Sequence, residues 1–105
     1  MSTIFRHRHA TLDVIEIADY IAHDNVFAAN KFMDSIEETL EDIRKFPGLG
    51  NLWEPPILRY PGLRWCPVRE FPNHLIFYVA RDSEPIVDIY RVLYGGRDLD
   101  AILNE

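Results

Sequence analysis

The sequence predicts an α+β fold in which an antiparallel two-helix hairpin packs on a small, mostly antiparallel sheet. Three observations carry that expectation. Helical spacing runs from residue 12 to residue 46 with one break at Asp24–Asn25; a proline- and glycine-rich stretch follows from 47 to 62; three apolar runs then succeed one another across short turn signals. The order expected is an N-terminal strand, the hairpin, a long loop, a C-terminal three-strand meander and a short terminal helix.

Residues 3–8 read as a short strand of mixed character. From Leu12 to Ala22 the spacing becomes helical, with Val14, Ile17, Ala18 and Ile21 on one stripe and Asp13, Glu16, Asp19 and His23 opposite. Asp24–Asn25 ends this helix and can cap the next, because both side chains accept hydrogen bonds from the unpaired amides of a helix start. A second helix is expected from Val26 to Phe46, with Ala29, Phe32, Met33, Ile36, Leu40 and Ile43 at three- and four-residue steps. So short a connection makes the two helices an antiparallel hairpin.

Pro47, Gly48 and Gly50 stop the second helix, and the stretch through Trp53, Pro55, Pro56 and Pro61–Gly62 is expected to hold neither ladder nor helix. Strands are expected at 63–71, 74–80 and 86–93, separated by Pro72–Asn73 and Asp82–Ser83. Proline donates no ladder hydrogen bond, so the strand containing Pro67 should lie at an edge or carry a bulge. Asp98 is placed to cap a terminal helix reaching Leu103. The run from His74 to Ala80 is apolar on both parities, so both of its faces should be covered. The hairpin covers one face. For the other, two readings stand: the terminal helix and loop complete it, or part of it waits for a partner.

At 105 residues the chain is sized for one domain, residues 1–105, with a core that needs neither disulfide nor metal. The single cysteine, Cys66, fits a reducing cytoplasm and reads as a buried, inert thiol. No signal-type apolar segment opens the sequence and no run is long enough to span a membrane, so a cytoplasmic protein with no membrane partner is expected. A net charge of −6 opposes sequence-independent attraction to a phosphate backbone. Direct sequence-specific DNA binding by this chain alone is not expected. All six basic residues after position 46 are arginines, whose planar fork suits carboxylate and phosphate recognition at interfaces. His7 and His9 share a strand parity, but no carboxylate or cysteine completes a ligand set, so no metal site and no cofactor are expected.

Several segments, in order, resemble the RelE/ParE toxin superfamily and its ParE branch in particular. They are Ala10-Thr-Leu-Asp-Val-Ile-Glu-Ile-Ala-Asp-Tyr-Ile-Ala-His-Asp24, Asn25 through Phe32, Phe46-Pro-Gly-Leu-Gly50, Gly62-Leu-Arg64, Pro67-Val68, Leu75-Ile-Phe-Tyr78 and the closing Ile89-Tyr-Arg-Val-Leu-Tyr-Gly-Gly-Arg-Asp98. The chain departs from the family pattern at Val26, where a proline is usual, and at Tyr94, where a histidine is frequent.

The resemblance implies the toxin of a type II toxin–antitoxin system, neutralised by a ParD-like antitoxin in a hetero-oligomer and acting on DNA gyrase by protein contact, without catalytic residues; beside it stands a non-toxic homologue that still binds an antitoxin. Target contacts are then expected at Arg64, Arg69, Arg91, Arg97 and Tyr94, and antitoxin contacts at Leu12, Ile15, Tyr20, Phe32, Trp65, Phe77 and Tyr78. RelE-like relatives instead cleave messenger RNA on the ribosome, which requires cations on the phosphate and a proton-transfer group. Arg64, Arg69, Arg91 and Arg97 with Tyr78, Tyr90 and Tyr94 occupy the comparable region, but no lysine follows Lys45 and arginine is a poor proton shuttle. His74 is the remaining proton-transfer candidate; beside that reading stands one of an exposed histidine after a turn. Arg97 is open to local pairing with Asp98, and Arg91 to a buried pair that holds the sheet. Trp53, Trp65 and Tyr60 read either as an aromatic contact surface or as pins for the loop.

Overall fold

The computed structural model describes all residues from Met1 to Glu105. Eight elements follow in chain order: β1 (Thr3–Arg6), α1 (Arg8–Ala22), α2 (Val26–Lys45), β2 (Asn51–Leu52), β3 (Arg64–Val68), β4 (Phe71–Ala80), β5 (Ile86–Tyr94) and α3 (Leu99–Leu103). The five strands form one sheet in the order β1-β5-β4-β3-β2. Strands β2 to β5 are mutually antiparallel, and β1 lies parallel to β5. The parallel strand is possible because the hairpin supplies the long crossover that a parallel pair requires.

The hairpin closes through the cap at Asn25, whose side chain accepts a 3.0 Å hydrogen bond from the Ala28 amide. Its inner stripe joins the inward residues of the sheet in one cluster: Ala10, Ala18, Phe32, Ile36, Leu40 and Ile43 meet Cys66, Val68, Ile76, Tyr78, Val87, Ile89 and Val92. Alternation along β4 then sends Phe77 to the other face. There Ile57, Leu63, Leu93 and Leu103 enclose it, with Trp53, Tyr60, Trp65 and Ile102 packed around them. The middle of β4 is therefore covered on both sides by the domain itself, and Ile76, Phe77 and Tyr78 are fully buried. Five helical residues suffice for the second face because the 53–63 segment folds under the sheet beside them.

The structure departs from the sequence expectation in three places, each for a local reason. Helix α1 begins at Arg8, a full turn before Leu12, and β1 ends at Arg6. The extra turn places Ala10 in the core, where it is 3% exposed, and core burial outweighs the mixed propensity of the segment. Asn51 and Leu52 form a short strand against Trp65 and Arg64 inside the stretch expected to have no ladder. The turn expected at Pro72–Asn73 falls instead just before β4, where Glu70 takes a left-handed φ of 64°. Pro72 is tolerated in the strand because β3 pairs with Leu75 and then directly with Phe71, leaving residues 72–74 bulged away from it. The same register shift, between Pro67 and Val68, is the irregularity that Pro67 demands.

Candidate functional site

A cleft of about 630 Å³ opens between α1 and the end of the β4–β5 ladder. Helix α1 contributes Asp13, Glu16, Ile17, Tyr20 and Ile21, the ladder contributes His74, Val92, Leu93 and Tyr94, and Arg97 closes it from the turn before α3. A smaller groove of about 270 Å³ runs between the two helices and β5, lined among others by Val14, Ile15, Met33, Leu40 and Ile89. Helical spacing explains the two openings. The buried stripe of α1 leaves Glu16 and Tyr20 on one shoulder and Thr11 and Ile15 on the other.

The wall between α1 and the sheet is fixed by a charge pair. Arg91 donates from Nε and Nη2 to Asp13 at 2.8 and 3.0 Å, and the Val92 amide donates to the same carboxylate at 3.0 Å. Both side chains are largely buried, at 19% and 11% exposure, and the Asp13 hydrogen bonds raise the Arg91 pKa. With its oxygens so occupied, Asp13 adds little free charge to the cleft. Glu16 and Arg97, also lining it, form no ion pair. His74 packs edge-on against Phe32 at 5.3 Å and at a tilt against Tyr94 at 5.6 Å. Burial pushes its pKa down, and its Nδ1 is buried without a hydrogen-bond partner.

A second polar cluster joins the end of β1 to β5 and to the turn after β4. Asp88, 4% exposed, accepts from Arg81 at 2.8 and 3.1 Å and contacts His7 Nε2 at 3.0 Å. The Arg81 guanidinium, above all, holds the Asp88 carboxyl below the usual range. The His7 ring stacks on Tyr90 at 4.4 Å and Tyr90 meets Tyr60 at 4.6 Å. These contacts clamp β1 and the 57–60 loop to β5.

The family model for the ParE toxin of the type II toxin–antitoxin system, parDE, matches residues 4–99. The chain belongs to the ParE toxin family. Among solved structures it is similar to one described as the chromosomal ParDE TA system from P. aeruginosa, with a TM-score of 0.70 and 18% identity over 90% of this chain and 96% of that one. At that identity the likeness concerns the fold, and the strand–hairpin–sheet–helix layout is shared. No curated protein matches the chain.

Within this ParE fold, the arginines singled out from the sequence separate into two kinds. Arg64 donates to the Gly50 carbonyl at 2.7 Å, Arg69 pairs with Glu38 and Asp42 of α2, and Arg91 holds Asp13. These three are engaged inside the domain and point to no common centre. Arg97 and Tyr94 share the cleft and remain exposed. The local pairing of Arg97 with Asp98 does not form, because Asp98 caps α3 by accepting from the Ala101 amide at 3.2 Å.

The seven apolar positions also divide. Leu12, Ile15 and Tyr20 are 45%, 49% and 79% exposed on the outer faces of α1. Phe32, Phe77 and Tyr78 are wholly buried, so the expectation of surface contacts there is corrected: they shape the core because α2 and β4 turn them inward. Trp65 packs with the cluster on the opposite sheet face, together with Trp53 and Tyr60, so all three pin the loop. His74 is corrected too, since it lines the cleft and is half-buried where an exposed position was the expectation set beside proton transfer. Sequence reading missed Glu16 and Met33 as site residues. Glu16 was assigned to the wet face and Met33 to the core stripe, and only the width of the buried stripe, which pattern does not give, separates these positions.

Proposed function

We propose that the chain is the toxin of a toxin–antitoxin pair, restrained by a ParD-like antitoxin and acting on DNA gyrase through protein contact. The observation that carries this reading is the exposure of apolar side chains on the hairpin, with Ile15 and Met33 lining one open groove, Tyr20 lining another and Leu12 exposed on α1. Contiguous exposed apolar surface with polar rims is what protein partners cover. An amphipathic segment laid into such grooves buries its own stripe at three- and four-residue steps. Membership of the ParE family of type II systems supports an antitoxin as that partner. The similar structure is described as a ParDE system, which supports a ParD-like one. No helix of the chain is long and apolar enough to cross a membrane, which agrees with an encounter between partners in the cytoplasm.

Contact with gyrase is supported by the way the arginines are used. Arg64, Arg69 and Arg91 are bound within the domain and do not converge on a phosphate, as cleavage of RNA requires of its cations. One observation favours a second reading. His74, Tyr94 and Arg97 share one cleft, and burial keeps the imidazole neutral near pH 7, a state able to take a proton. If ribosome-dependent messenger cleavage operates, induction shortens transcripts and His74→Ala abolishes the shortening.

The test of the principal reading is growth. Induced alone in a bacterial host, the chain stops growth; co-induced with a ParD-like antitoxin that binds it, growth resumes. The double substitution Ile15→Asp, Met33→Asp blocks the rescue while leaving the fold intact. Unimpaired growth on induction of the wild-type chain overturns the toxin reading.

A further inference from the structure

The large cleft has two charges that the chain itself does not answer. Arg97 is exposed and forms no ion pair, and Glu16 on α1 likewise has none, whereas the neighbouring Asp13 is consumed by Arg91 and the Val92 amide. Between them lie the apolar side chains of Ile17, Ile21, Val92 and Leu93, flanked by Tyr20 and Tyr94. A cleft of about 630 Å³ is in the range that encloses a compact ligand or a few side chains.

The chemistry of the occupant follows from these groups. A purely apolar occupant would strip water from Arg97 and leave its charge unpaired, which is costly. A basic side chain beside Arg97 would be repelled. A nucleic acid would bring phosphates to a chain of net charge −6, past Glu16. A carboxylate fits, because the guanidinium fork binds it through two parallel charged hydrogen bonds.

We propose that the cleft takes an amphipathic segment of a partner protein, with apolar side chains seated on Ile17, Tyr20 and Ile21 and an acidic side chain paired to Arg97. The inference rests on the partner-binding reading of the same surface and adds the sign of charge that the surface selects. Glu16 tunes the other end toward a basic or neutral residue. Charge of this kind contributes discrimination between partners more than raw affinity.

Two dye-labelled, end-capped helical peptides test it. Both carry the same leucine and phenylalanine stripe and a glutamine at the end that faces Glu16; one has glutamate and the other lysine at the end that faces Arg97, and binding to the full chain is read by fluorescence anisotropy. The glutamate peptide should bind about tenfold more tightly. Arg97→Gln should erase that preference and Arg97→Glu should reverse it. Arg59→Gln, at an exposed arginine that sits 5.3 Å over the Tyr60 ring and outside the cleft, should leave it unchanged. The inference falls if neither peptide binds, if the preference survives Arg97→Gln, or if a single-stranded RNA displaces the peptide. If the glutamate peptide behaves as expected but the ParD-like antitoxin that restores growth does not displace it, the antitoxin reading of this cleft fails and the charge selectivity stands.

Discussion

Asp13 does two jobs at once, since its carboxylate ties the sheet to α1 through Arg91 and the Val92 amide and so sets the width of the cleft. Removing its charge leaves a largely buried guanidinium unpaired, a change of the kind that costs about 3 kcal/mol. Asp13→Asn should lower the unfolding free energy by about that amount in urea titration, whereas Arg97→Ala, at an exposed and unpaired side chain, should stay within about 0.5 kcal/mol. Tyr78 supplies the second residue-scale prediction. Its hydroxyl donates to the Pro47 carbonyl at 2.8 Å and accepts from the Gly50 amide at 2.7 Å, locking the end of α2 to the sheet. A Cβ on Gly50 would come within 2.8 Å of that hydroxyl, so only glycine fits the approach. Burial raises the Tyr78 pKa above that of the unfolded chain. Its contribution is therefore complete below about pH 10, the ordinary tyrosine value, and is lost as pH rises through the folded value. Tyr78→Phe should cost about 2 kcal/mol at neutral pH and flatten the alkaline limb of a plot of stability against pH. The Arg91–Asp13 pair spans residues 78 apart, and nothing in local spacing announces it. The composition of the arginines was legible; their partners, set by tertiary approach, were not.

Among the helices, α3 is the shortest, yet it closes one face of the sheet. Leu103, 2% exposed, joins Ile57, Leu63, Phe77 and Leu93 to close the sheet face that the hairpin does not reach. Leu103→Ala should cost about 3 kcal/mol, the usual result of opening a cavity in packed surroundings, and should increase binding of a hydrophobic dye. A variant that keeps wild-type stability and dye response would show that α3 is dispensable cover. Element existence was legible because each signal is local: the Asn25 cap, the three- and four-residue steps of α2 and the Asp98 cap all form as read. Boundaries were less so. Pro72 marks a turn in sequence, yet it sits in a strand because the bulge over 72–74 removes the need for its amide. The first turn of α1 is held by burial of Ala10, a tertiary effect that residue spacing does not carry.

At the scale of the whole molecule, the domain satisfies the interior of its sheet and leaves grooves open on both sides of α1. Both faces of β4 are covered, so the sheet itself offers no bare central strand to a partner. Open grooves flank α1, with Tyr20 lining one and Ile15 and Met33 the other. The apolar runs of the sequence showed how much surface the chain must bury; they did not show how much the 53–63 segment would bury by itself. Action by contact is the central claim, and supercoiling of relaxed plasmid by purified DNA gyrase tests it most directly. Added to that reaction, the wild-type chain should reduce supercoiling in proportion to its molar ratio to gyrase, and His74→Ala should inhibit equally well. Supercoiling that proceeds unchanged with the chain in excess over gyrase would contradict it.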